Sequence, residues 1–277
     1  MRRAVRLTGT LMIVLGVLAV AWVVVVWQWQ DPFTALYTKY EQHKLASKFA
    51  HRFADYRPPA SVRPVTTLPD GTVPIAAERK HVAAAAAAYR RTLHEGEPVG
   101  RLIVPRLGLK SIVVNGTSHD DLTKGPGREL HTYMPGQNEL IYIAGHRTTY
   151  LAPFAHIDSL RAGDPITFVL PYATFHYEVT GHEIVPADDL AVLRSHHKEL
   201  LTLQACHPRF FATHRYLAFA KLVSVDPRHG KPYTLAAASP HDSLARAGPG
   251  GPRDSAYRPA IAGAPVSPVS PLPQLRG

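Results

Sequence analysis

Between Glu97 and Val225 the chain predicts a small all-β domain, a barrel or a sandwich, and three observations carry that expectation. Seven or eight short apolar runs recur there at close spacing. Gly, Pro and Asn-Gly turn signals separate them. The flanking segments follow other patterns: an uncharged run and helical repeats before the domain, and a Pro/Ala-rich stretch after it.

Taken in order, Val99 to Val104 reads as a strand, Pro105 to Gly108 as a turn, and Ser111 to Val114 as a strand ending at Asn115-Gly116. Asp120 to Gly127 reads as a short helical turn stopped by Gly-Pro-Gly. Leu140 to Ile143 is a strand that leads through Gly145 to His146. Gly163-Asp164-Pro165 turns into Ile166 to Leu170, and Pro171-Tyr172 turns into Phe175 to Thr180, with His182 to Val185 continuing the sheet. Leu200, Leu201 and Leu203 mark a buried strand ending at Cys206. Tyr216, Leu217, Phe219, Leu222 and Val223 mark another that begins at Arg215. Strands are expected to stop after Pro227. The folded unit, residues 97–228, is about 130 residues, enough for one core.

On the N-terminal side, residues 1–6 carry Arg2, Arg3 and Arg6, and Leu7 to Trp29 holds 23 positions without a charge. As a helix that run spans ~34 Å, against a hydrocarbon core of ~30 Å. Trp22, Trp27 and Trp29 lie toward its far end, as interface anchors do, so it reads as an uncleaved transmembrane anchor with residues 1–6 in the cytoplasm. Residues 30–96 read as a helical stalk and linker. Pro32 to Tyr56 is an amphipathic helix that could pack on the domain, lie at the membrane surface or form a solvated stalk, the last being the simplest reading; Arg57 to Pro74 is a proline-rich linker that, with the helix after it, sets the distance from the bilayer, and Ala76 to Leu93, with six alanines from Ala83 to Ala88, is a spacer helix. Residues 229–277, rich in Pro, Ala, Ser and Gly, read as a disordered tail.

The net charge of +10 suits an anionic neighbour such as a lipid surface or a wall polymer. No basic block interleaved with aromatics points to nucleic acid. A single cysteine excludes an internal disulfide framework. That cysteine carries the chemistry of the reading. If the two strands around it pair as antiparallel neighbours, Cys206 ends one and Arg215 starts the other. A cation beside a thiol favours its thiolate and offers donors to a developing oxyanion. Acyl transfer also needs an acid/base group, and His146 is the candidate. The rival is a metal site built from the 16 histidines, among them His196-His197, His207 and His214. No H-E-x-x-H occurs and no Cys/His spacing fits a zinc pattern. Gly125-Pro126-Gly127 lacks the Lys-Thr of a phosphate loop. No metal or cofactor is expected.

Longer motifs sharpen the reading. Thr202 to Cys206, TLQAC, resembles the TLxTC motif of sortases, cysteine transpeptidases of Gram-positive bacteria, and Tyr142 to Tyr150, YIAGHRTTY, resembles the strand and loop that carry their histidine. KGPG (Lys124 to Gly127), MPGQ (Met134 to Gln137), APFAHIDSLRAGD (Ala152 to Asp164) and CHPRF (Cys206 to Phe210) resemble the actinobacterial class E in particular. The resemblance covers about Glu97 to Val225. It implies an eight-stranded β-barrel with short helices, Cys206 as nucleophile, His146 as acid/base and Arg215 as stabiliser of the oxyanion and the substrate backbone. It further implies cleavage of a C-terminal sorting signal between Thr and Gly, with an LAxTG-type motif favoured over LPxTG, and transfer to a cell-wall amine. The implied partners are surface proteins with such a signal, a peptidoglycan precursor or other wall amine, and membrane lipid, for a monomer whose catalytic domain lies outside the cell. One departure is Ala205, where the family usually has threonine. Two other readings remain at this stage: another cell-wall cysteine enzyme, although the S-x-G-C of L,D-transpeptidases is absent, and a tethered, non-catalytic wall-binding module.

Overall fold

The computed structural model describes residues 2–29, 32–58, 62 and 74–235. Most of the expected linker and the tail from Ala236 onward lie outside these residues. The strands are β1 (Pro98–Val104), β2 (Leu109–Asn115), β3 (Gly127–Arg128), β4 (Leu140–Ala144), β5 (Pro165–Val169), β6 (Ala173–Pro186), β7 (Leu200–His207), β8 (His214–Pro227) and β9 (Tyr233–Thr234). They run in the order β6-β5-β1-β2-β3-β4-β7-β8, and β8 pairs back onto β6, closing an eight-stranded barrel; β9 adds to β8. The pairs are antiparallel except β2–β3 and β4–β7. Alternation fills the interior: Ile141 and Ile143 of β4, Phe175, Tyr177 and Val179 of β6, and Leu201, Leu203 and Ala205 of β7 are all buried in one core.

Three strand expectations change. β6 is one 14-residue strand where two runs were read, because register shifts at His176/Tyr177 and Val179/Gly181 bend it without breaking its pairing to β8. β3 was read only as the end of a turn. A Cβ on Gly127 would lie 2.1 Å from the Gly116 carbonyl oxygen, so glycine permits this parallel contact. Its neighbour Arg128 is buried, donating to Asn115 Oδ1 and to the Thr132 and Glu129 carbonyls. Burial, with Arg90 nearby, lowers its pKa to about 10. Strands also do not stop at Pro227, since Tyr233 is buried and pairs with Val225, extending the folded unit to Leu235.

The helices correct the stalk expectation. In α1 (Arg2–Trp29) the side chains from Val5 to Val24 are exposed, and that stretch is long and apolar enough to cross a bilayer. α2 (Pro32–Asp55) is not a solvated stalk: Leu45 and Phe49 pack on Ile112 and Val114 of β2. β3 pairs only the last two residues of β2, which leaves the rest of that edge open. Gln42 of α2 covers it. Its amide oxygen accepts from Ile112 N (2.8 Å) and its amide nitrogen donates to Ile112 O (3.0 Å) and Lys124 O (2.7 Å). Because α2 docks ahead of the linker, the linker does not set the distance from α1 to the barrel. α3 (Ile75–Thr92) is not a spacer either. Val82, Ala85, Ala86, Ala88 and Tyr89 belong to the main core, and the Tyr89 hydroxyl, its pKa raised by burial to about 12, donates to Val99 O at 2.8 Å.

The MPGQ segment has a structural role. Glu199, at the foot of β7, accepts from Gly136 N (2.7 Å), Asn138 N (2.9 Å) and the Tyr177 hydroxyl (2.9 Å). A Cβ on Gly136, at φ +92°, would lie 2.7 Å from Val82 Cγ1. Burial outweighs the three donors and raises Glu199 to a pKa of about 7.

Two outcomes follow from this packing. Phe49→Ala should cost about 3 kcal/mol of unfolding free energy in denaturant titration, while Leu36→Ala, on the exposed side of α2, should stay within about 0.5 kcal/mol. A freely solvated α2 would make both changes silent. Glu199 binds a proton more tightly folded than unfolded, so its contribution is complete below the ordinary carboxyl pKa and is lost as pH rises through about 7. Denaturation midpoints should fall across that window, and Glu199→Gln should remove this part of the slope.

Candidate active site

Strand β7 places the cysteine, and its two neighbours place the rest. The parallel β4–β7 register ends with Ala144 opposite Gln204, and Gly145 N still donates to Gln204 O at 2.9 Å. His146 and Cys206 each lie two residues further on, at the same level of adjacent strands. On the other side, the antiparallel β7–β8 register sets Cys206 directly opposite Arg215. The three residues expected from the sequence thus line one cleft of about 280 Å³. Tyr142, Ala144 and Gln204 line it too, while the alternate residues Ile143, Leu203, Ala205 and Tyr216 are buried. Ala205 is therefore a core residue, and the departure from threonine at that position falls inside the barrel, not in the cleft.

His146 is partly buried, and its Nε2 is fully buried with no hydrogen-bond partner among the described residues. Its ring lies 5.0 Å from that of Tyr150. Burial, and then the nearby His119, push its pKa below the ordinary imidazole value, so it is neutral at pH 7 and able to accept a proton. Tyr150, Leu151 and Ala152 follow with positive φ, a strained turn. Tyr150 N donates to Thr34 Oγ1 of α2 at 3.2 Å, so α2 braces the histidine loop. The Arg215 guanidinium is held by the β7–β8 loop, its Nη1 donating to Ala212 O (2.8 Å) and His214 O (3.0 Å).

Sequence reasoning missed the walls of the cleft and one of its supports. Leu190, Val192 and Leu193, from a 3-10 turn (Leu190–Leu193) between β6 and β7, form an apolar wall. Thr117 and Glu129 add a polar one, the Thr117 hydroxyl donating to Glu129. Burial works against the Glu129 charge, but donors from Thr117 and His131 hold its pKa below the usual carboxylate value. The support is Arg147, beside His146 in the chain and 4 % exposed. Its Nη1 donates to His207 Nδ1 (3.0 Å) and Cys206 O (3.4 Å), and its Nη2 pairs with Asp158 (2.8 Å). One side chain on the histidine loop therefore holds the backbone of the cysteine. In sequence nothing singles it out within the Tyr142 to Tyr150 motif.

Arg147→Met should cost about 1–2 kcal/mol of stability, by leaving the partly buried Cys206 O and His207 Nδ1 without this donor. Arg147→Lys should restore only part, because an ammonium lacks the planar fork. Equal denaturation midpoints for wild type and Arg147→Met would remove the tie. The His146 ring should titrate by NMR below the ordinary imidazole value. Its folded pKa is depressed, so its contribution to stability is present at neutral pH and is lost as pH falls through that titration.

Comparison with known proteins places this geometry. The sortase domain family matches residues 102–223. Sortase D of Bacillus subtilis (strain 168) is 35% identical over 133 residues, covering 47% of this chain and 66% of that protein. Sortase SrtE1 of Streptomyces coelicolor is 34% identical over 103 residues, covering 34% of this chain and 29% of that protein. The alignments thus span just under two thirds and under one third of these relatives. The Clostridium perfringens sortase D5 transpeptidase shares the fold with a TM-score of 0.51 and 24% identity, over 66% of this chain and 98% of that one. A closed eight-stranded barrel and a cysteine at the end of β7 lie within residues matched by the sortase domain family, so residues 102–223 have the fold of a sortase domain and are similar to it in sequence.

Proposed function

We propose that the chain is a membrane-anchored sortase that cuts a C-terminal sorting signal between Thr and Gly and transfers the Thr acyl group to a cell-wall amine. The observation that carries this reading is the register of β7: Cys206 opposite Arg215 on β8, with His146 level with it on the far side. Neutral His146 takes the thiol proton as Cys206 attacks the Thr carbonyl carbon. Arg215 donates to the oxyanion of the tetrahedral intermediate. His146 then returns its proton to the leaving glycine nitrogen, the C–N bond breaks and a thioester remains. An incoming amine attacks that thioester, His146 accepts the amine proton, and Cys206 leaves. The apolar wall of Leu190, Val192 and Leu193 suits the side chains of an extended signal peptide.

Assignment to class E rests on the motifs KGPG, MPGQ and CHPRF and on the likeness to SrtE1; sortase D of B. subtilis is matched over a longer stretch. Relative kcat/KM on LAxTG and LPxTG peptides decides it, with the alanine peptide expected to be the better substrate. The exposed apolar helix α1 supports a single-pass anchor, and Arg2, Arg3 and Arg6 ahead of its apolar run favour a cytoplasmic N-terminus with the barrel outside. Protease added to intact protoplasts should digest the barrel, and protection until lysis would reverse that orientation.

Cys206→Ala should abolish peptide cleavage while leaving the thermal midpoint within a few degrees, about the cost of one small side chain. Arg215→Lys should recover only a minor share of the activity lost in Arg215→Ala. Full turnover in Cys206→Ala sinks the nucleophile assignment, whereas a wild-type chain that cleaves no sorting peptide leaves the wall-binding module as the better reading. Full turnover in Arg215→Lys sinks the forked contact alone.

A further inference from the structure

A second cleft, of about 620 Å³, lies between α2 and strands β1 and β2, and it shares no lining residue with the catalytic cleft. It joins two kinds of surface. Leu36 and Tyr40 line it and are 71% and 62% exposed. Lys39 and Lys110, both exposed, and the half-buried Arg101 supply a cationic set. No ion pair engages Lys39, Arg101 or Lys110 among the described residues; Arg101 instead lies over the Phe49 ring, 5.9 Å from its centre. An apolar surface beside unpaired cations matches the two halves of an anionic phospholipid, the acyl chain below and the phosphate above. Position agrees with chemistry. α2 begins at Pro32, with two residues between it and the end of α1 at Trp29, and the cleft opens along the second to fourth turns of α2.

We propose that this cleft is a docking surface for the headgroup of an anionic phospholipid in the leaflet where α1 ends. The inference rests on the anchored reading of α1. Lys39 and Lys110 hold the phosphate from the two walls of the cleft, and Leu36 and Tyr40 meet the glycerol and upper acyl region. Gln42, bonded to both main-chain groups of Ile112, keeps the walls together.

The test uses the full chain in lipid nanodiscs of phosphatidylcholine alone or of phosphatidylcholine with phosphatidylglycerol. Lysines are acetylated with an uncharged reagent and followed by mass spectrometry. Lys39 and Lys110 should be modified about fivefold more slowly with phosphatidylglycerol present, and high salt should erase the difference, because screening shortens to ~3 Å near 1 M. Lys198, exposed and outside the cleft, should not change. Lys39→Gln should speed modification at Lys110 in the anionic discs and leave it unchanged in the neutral ones. Equal rates in both discs, or slowing at Lys198 to the same degree, overturns the docking surface while leaving the anchor intact. A chain that does not purify with the discs overturns the anchor, and the headgroup site with it.

Discussion

Everything in the cleft around Cys206 depends on β7 having two unlike neighbours. Here the parallel partner β4 arrives from the same direction and ends at the same level, so its next residues, Gly145 and His146, pass beside Cys206. The antiparallel partner β8 starts where β7 stops, which brings Arg215 to the same height from the opposite side. Moving either register by one residue would turn the side chain in question from the cleft into the core, where Ala205 and Tyr216 already sit. The barrel closure of β8 onto β6 fixes β8, and the buried run of β4 fixes the other side.

Around that pair of registers the helices complete a barrel that is open where its strands are short. β3 contributes two residues, too few to cover β2, and α2 makes good the remaining edge with a side-chain amide in place of a strand. α3 works through size: its alanines let the helix approach the core closely enough for Tyr89 to reach the β1 backbone. Neither is an appendage, and losing either would expose core residues of β1 or β2.

How much of this could be read in the sequence follows from what each element buries. The strands with alternating apolar residues were legible, and so was the meeting of Cys206, His146 and Arg215, because each sits at the end of such a strand. β3 and β9 were not, since two residues cannot show a period and one of those in β3 is a buried arginine whose partners are carbonyls. The helical periods of α2 and α3 were visible, but a period shows an apolar face without showing what covers it. Arg147 and the Leu190–Leu193 wall lie in irregular segments, where local pattern carries no record of contacts made 59 or 60 residues away.

The hydrogen bond from Tyr150 to Thr34 sets a limit on reach. It joins the histidine loop to the first turn of α2, and only residues 30 and 31 separate that helix from α1. Two residues extend at most ~7 Å. On the anchored reading proposed above, a barrel held this way does not sweep a large volume on a flexible arm. Its encounters then fall within a thin layer over the bilayer, where lateral diffusion and surface density, more than bulk concentration, set how often it meets a partner.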